Sequence, residues 1–151
     1  MSDLYHISYI SRVNLGAMRR GFDDHLNSVI ALSQARHMEQ DVSGCMICTG
    51  THFLELLEGH NSDVIAAYQD ICDDPLHHKP MVLSLGPIDE RRFPDRWLHF
   101  TPVAESSVTH MPEIAALVKQ IGTGIEPNDV DTLFTSLASK FSCDPLLEDC
   151  K

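Results

Sequence analysis

Nowhere in the 151 residues does an apolar run approach the ~20 residues needed to cross a bilayer. The opening Met1-Ser2-Asp3-Leu4 has neither the basic n-region nor the apolar h-region of a secretory signal. The expectation is a cytoplasmic protein that meets no membrane. Positive charge is scarce, with 11 Lys and Arg against 22 Asp and Glu and a formal charge of −11. DNA and anionic lipid repel such a surface unless a local patch reverses the sign. Arg19-Arg20 and Arg91-Arg92 are only pairs, each close to acids. Direct nucleic-acid binding is therefore not expected, and a protein partner, a second copy of the chain or a small molecule is favoured.

A disulfide framework is missing too, since five cysteines are an odd number in a chain read as cytosolic. Cys45 and Cys48 form a CxxC pair inside Val42-Ser43-Gly44-Cys45-Met46-Ile47-Cys48, a stretch that predicts a strand. Residues three apart on a strand face opposite ways, so buried, inert thiols are expected rather than a zinc or redox site. Signals for catalysis are absent: no nucleophile with an adjacent base, no phosphate loop and, despite nine histidines, no His-x-x-His or His-Glu-x-x-His spacing. An enzyme is not expected.

The apolar fraction of 43% is ordinary for a globular domain, and the length suits one core with a short appendage. Residues 3–11 predict a strand, and from Phe22 an apolar face at helical period (Phe22, Leu26, Val29, Ile30) predicts a helix to about Met38. Strands are predicted at 42–49 and 52–58, separated by the hairpin spacing Thr49-Gly50-Thr51. Gly59 and Asn61-Ser62 predict a break with Ser62 as N-cap. Val64, Ile65, Ala67, Tyr68 and Ile71 then mark a second helix, stopped by Asp73-Asp74-Pro75. Strands at Met81–Leu85 and Trp97–Thr101 complete the order β-α-β-β-α-β-β. That order implies an α+β, ferredoxin-like mixed sheet with two helices on one face. A composition shift near Ala104 divides residues 1–103 from a C-terminal helical pair in 104–151, with helices at Glu113–Ile121 and Asn128–Phe141. Their apolar stripes must pack on the free face of the sheet or on another subunit.

Several of these pieces carry a family resemblance. They are Tyr9-Ile10-Ser11-Arg12 on the first strand, Val42-Ser43-Gly44 on the second, Phe53-Leu54-Glu55-Leu56-Leu57-Glu58-Gly59 on the third, Ile71…Asp74…His77, and Arg91-Arg92-Phe93…Trp97. Over residues 3–100 the chain resembles the BLUF family, the short flavin-based blue-light sensors. The resemblance implies FAD, its isoalloxazine ring lying between the two helices against the sheet. A first-strand tyrosine and a third-strand glutamine would relay hydrogen bonds to it. An asparagine late in the first helix would hold a flavin carbonyl, an arginine after the second helix would seat the ring or phosphate, and the last strand would pass the signal on.

Carried over residue by residue, the tyrosine is Tyr9, the glutamine position falls on Glu55 and the asparagine position on His37, preceded by Arg36. The arginine position falls on Leu76 beside His77, the last-strand methionine position on His99, and Trp97 stands one residue further from Phe93 than the pattern has it. An ionised Glu offers acceptors only, where Gln offers both roles, so an ordinary light switch is not expected. A Glu55–His37 or Glu55–Arg36 pair would fill the flavin's place. The plainer alternatives are Tyr9 as a core filler, His37 serving the helix dipole, and His77-His78 on a solvated corner. A metal held by His37, Glu55 and His99 has little support from spacing. The leading expectation is a signalling module of this family with impaired flavin photochemistry, acting through protein contacts. The alternatives are a working FAD photoreceptor with an atypical site, and a binder of another small ligand, for which Arg36 and His37 would favour an anion.

Overall fold

β-Branched and aromatic residues alternate through Leu4–Val13, and this segment is the central strand β1 of the computed structural model. The structure describes residues 3–14, 35–48, 52–94, 97–100 and 126–143. β2 (Ser43–Cys48) and β3 (His52–His60) follow, then β4 (His77–Pro87) and β5 (Trp97–Phe100). The sheet runs in the order β4-β1-β3-β2-β5. The first four are antiparallel neighbours and β5 lies parallel to β2. This is the ferredoxin-like α+β arrangement with one strand added.

β3 is buried from Phe53 to Gly59, which is why its sequence lacks the alternation of a half-exposed strand. Its even and odd residues serve two cores. Leu57 joins Ile7, Tyr9, Val64, Ala67 and Ile71 on the front face. Leu54 and Leu56 stand across from Ile10 and Ser8 on the back. Gly44 lets β2 approach: a Cβ there would lie 1.9 Å from the Leu56 carbonyl oxygen, and its φ of +149° suits glycine alone. Cys45 pairs with Leu56 and Cys48 with Phe53, so the CxxC residues hold register positions on opposite faces, as the spacing requires.

Two helices serve the front. The last turn of α1 is described at residues 35–39; residues 15–34, which carry the rest of the predicted helix, lie outside the described residues. α1 ends in a Schellman motif, with the Val42 N–H donating to the His37 carbonyl (2.8 Å) and the Asp41 N–H to that of Met38 (3.2 Å). Asp41 sits at the left-handed position, φ 55°, where Arg91 Nη2 donates to its carbonyl at 3.0 Å. α2 (Asn61–Asp73) starts without the expected break. β3 runs to His60, and His60, not Ser62, is the N-cap, without a side-chain cap. The Asp3 carbonyl accepts the Asn61 N–H instead (3.2 Å), so backbone takes the place of a capping side chain.

β4 begins four residues earlier than the apolar run Met81–Leu85. Irregular pairing with β1 between Ile10 and Arg12, and Lys79 at φ 51°, extend the strand so that His78 pairs with Arg12 and His77 with Val13. His77 and His78 therefore belong to a strand, not to a solvated corner. On the back, α3 (Pro127–Cys143) realises the helix predicted at 128–141. It contacts β4, and its Val130, Leu133 and Phe134 are buried. The helix predicted at Glu113–Ile121 lies outside the described residues.

Candidate functional site

The register of the sheet sets one transverse row across the front face: Val82, Tyr9, Glu55, Met46 and His99, one from each strand. Directly opposed residues on neighbouring strands share a face and interact. Tyr9 and Glu55 do so through a hydrogen bond from the Tyr9 hydroxyl to Glu55 Oε1. From α1, His37 Nε2 stands 3.5 Å from the other carboxylate oxygen. That distance is too long for an ordinary hydrogen bond and close enough for charge to act. Glu55 is 2% exposed and His37 3%. Of the two basic residues the sequence offered to Glu55, the structure brings up His37, while Arg36 beside it is exposed.

Around this chain of contacts the walls are aromatic. Tyr68 of α2 packs against Tyr9 with ring centroids 5.4 Å apart, and His77 lies 4.6 Å from Phe53 and 6.0 Å from Tyr9. His77 Nδ1 and Ser11 Oγ share a hydrogen bond of 2.7 Å. Burial, then the charge of Glu55 and the hydrogen bond to it, hold the Tyr9 phenol well above its usual range. Tyr68 is pushed up to about 12 by burial and its hydrogen bond to Cys72. Burial lowers His77 and outweighs the nearby Glu55 and Asp74, so the ring is neutral at pH 7. The arrangement is a buried phenol donating to a carboxylate backed by an imidazole, suited to holding or passing a proton between oxygen atoms.

Residues 4–99, which include every one of these contacts, match the family described as BLUF, sensors of blue-light using FAD. The chain belongs to the BLUF family. It is 34% identical over 68 residues, 45% of its own length, to the blue light- and temperature-regulated antirepressor BluF of Escherichia coli K12. It is 24% identical over 96 residues, 64% of its length, to the photoactivated adenylate cyclase subunit beta of Euglena gracilis. The chain spans only 17% and 11% of those two proteins. Among solved structures, the dark state of the BLUF protein BlrB superposes with TM-score 0.74 at 26% identity, covering 93% of this chain and 98% of that one. A bacterial light-regulated adenylyl cyclase superposes with TM-score 0.67 at 20% identity, over 80% of this chain and 34% of that one.

The family senses blue light using FAD, so the described residues of this BLUF domain can be tested for fit to a flavin ring. Between α1, β2, β3 and α2 they enclose about 20 Å³, bounded by His37, Met46, Phe53, Glu55, Ile71 and His77 among others. That is room for one water, against the roughly 300 Å³ or more of pockets for larger organic ligands. Among the described residues its polar side chains are the carboxylates of Glu55 and Asp74, the imidazoles of His37 and His77 and the Arg36 guanidinium, with no amide to alternate between donor and acceptor. As arranged, these residues do not fit the ring. Leu76, at the position the resemblance gives to an arginine, is buried and offers only its backbone, donating to Asp74 Oδ1 (2.9 Å).

The other expected site residues are placed only by register, Trp97 opposite Gly44 and His99 opposite Met46. Among the described residues no group of three or more His, Cys, Asp and Glu is arranged to hold a metal. Sequence reasoning missed Ser11 as the partner of His77. It also missed Glu58, whose carboxylate is wholly buried on the back face. Oε1 and Oε2 of Glu58 accept the Arg92 N–H (2.9 and 3.1 Å), and Oε1 also accepts the Phe93 N–H (3.0 Å). Strand alternation held the signal: Glu55 and Glu58 stand three positions apart, which sets them on opposite faces of a strand with no solvent-facing side.

Proposed function

We propose that this BLUF domain is a signalling module whose flavin photoswitch is degraded, and that it works through contacts with a protein partner or a second copy of itself. Residues 104–151 act as a helical cap on the domain, and the module has no catalytic step of its own. The observation that supports the reading is the buried Tyr9–Glu55–His37 chain, which lies where the resemblance would put the flavin ring and offers a carboxyl group where its switch would need an amide. Glu55 Oε1 accepts from the Tyr9 hydroxyl, and His37 Nε2 lies 3.5 Å from the other carboxyl oxygen. His77, through Ser11, fixes the neighbouring wall. The surplus of acids, 22 against 11 basic residues, supports a protein partner over nucleic acid or membrane. No described helix is long and apolar enough to cross a bilayer. We place the protein in the cytoplasm on the same reading.

The test is an absorption spectrum of the purified protein, repeated with excess FAD and again after blue illumination. A colourless protein that takes up no flavin is the expected result. A yellow protein with a reversible red shift overturns it and makes Glu55 a working substitute for the amide. Flavin bound without a shift keeps the broken switch and discards the closed pocket.

A further inference from the structure

We infer that Glu58 is the positioning residue through which the sheet sets the place of the C-terminal helix α3. A carboxylate buried in the back face is costly unless hydrogen-bonded, and Glu58 receives its bonds from two successive backbone amides, Arg92 and Phe93. Burial still raises its pKa, against those amides and the charges of Arg92 and Arg91. Holding two consecutive N–H groups fixes the backbone direction of the turn between β4 and β5. Phe93 is then buried, while the Arg92 guanidinium pairs with Asp131 of α3.

Arg91 anchors the same turn from the other side, donating to Ser43 Oγ (3.0 Å) and the Asp41 carbonyl (3.0 Å). The Arg92 and Asp131 side chains are 24% and 55% exposed, and an exposed pair of this kind is weak alone. Its value is direction: Glu58 aims Arg92, and Arg92 aligns the first turns of α3. His6, next to Glu58 in the register, closes the patch. Its Nδ1–H donates to the Gly86 carbonyl (3.0 Å), which leaves Nε2 of the neutral ring to accept from the Ser84 hydroxyl (2.8 Å). Because Glu55 and Glu58 ride on one strand, a shift of β3 at the front site moves the latch at the back. That purpose rests on the signalling reading; the latch itself rests on geometry alone.

Amide hydrogen exchange of the full chain, in the dark and without added cofactor, tests it by comparing residues 127–143 with residues 53–57. Glu58→Gln and Arg92→Glu are each expected to speed exchange in 127–143 by about fivefold while 53–57 stay protected. The charge-reversed pair Arg92→Glu with Asp131→Arg should return the helix to within about twofold of the parent. Unchanged α3 exchange in Glu58→Gln, or equal loosening of β3 and α3, overturns the latch in favour of ordinary packing. If Glu58→Gln does not fold, the reversed pair decides: restored protection supports the latch, and exchange no slower than in Arg92→Glu overturns it. A flavin-free, light-silent protein leaves this result untouched, so the two readings fail separately.

Discussion

A carboxylate and an amide of nearly equal size give Tyr9 different company. The Glu55 carboxylate accepts from the phenol and draws His37 toward it; a glutamine in its place could also donate. The double variant Glu55→Gln with His37→Asn restores the residue types expected of a flavin site. FAD titration should show its affinity rising at least about tenfold over the parent, on the scale of one or two polar contacts regained. An unchanged affinity would place the obstacle elsewhere in the pocket. Tyr9→Phe removes the donor to a buried carboxylate and should lower stability by about 1–3 kcal/mol, read from urea midpoints. These two side chains were legible in the sequence because strand period and a local motif agreed. The choice of His37 over Arg36 was not, since it depends on which side of one helical turn meets the sheet.

Among the elements, the closest backbone approach is at Gly44. Gly44→Ala sets a methyl against the Leu56 carbonyl oxygen and strains the backbone, a fault relieved only by parting β2 from β3. The expected loss exceeds about 4 kcal/mol, seen as failure to give a cooperative unfolding transition. A normal transition would mean that β2 approaches β3 less closely than this. Among the described residues, helical and strand periods carried the predicted element order into the structure. The boundaries at His60 and His77 escaped because they are set by backbone. The Asp3 carbonyl caps α2 from a residue nearly sixty positions away in sequence, and a positive-φ lysine prolongs β4. Neither leaves a mark in local composition.

Over the whole molecule, protonation links these parts. His6, His52 and His77 all have pKa values lowered from 6.5 by burial. The folded state thus binds their protons more weakly than the unfolded chain. The stability they lend is complete above pH 6.5 and is lost as pH falls from there through their lowered folded values. Urea midpoints should therefore drop between pH 7.5 and 5.5, by no more than about 1.4 kcal/mol per pH unit for each proton taken up. His77→Gln, which keeps a partner for Ser11, should flatten the profile most, because His77 is the most enclosed of the three. Glu58 works in the opposite sense: with its pKa raised, its contribution is complete below the ordinary carboxylate value and lost as pH rises through the folded one.

β3 leaves no side idle, with the Tyr9 partner on one surface and the anchor of the Arg92 turn on the other. A single inserted or deleted residue between them would swap faces from that point on, driving a carboxylate into a leucine layer and a leucine into a polar one. The segment from Glu55 to Glu58 therefore tolerates an exchange of side chains far better than a change of length, because its register is a ruler for both faces at once.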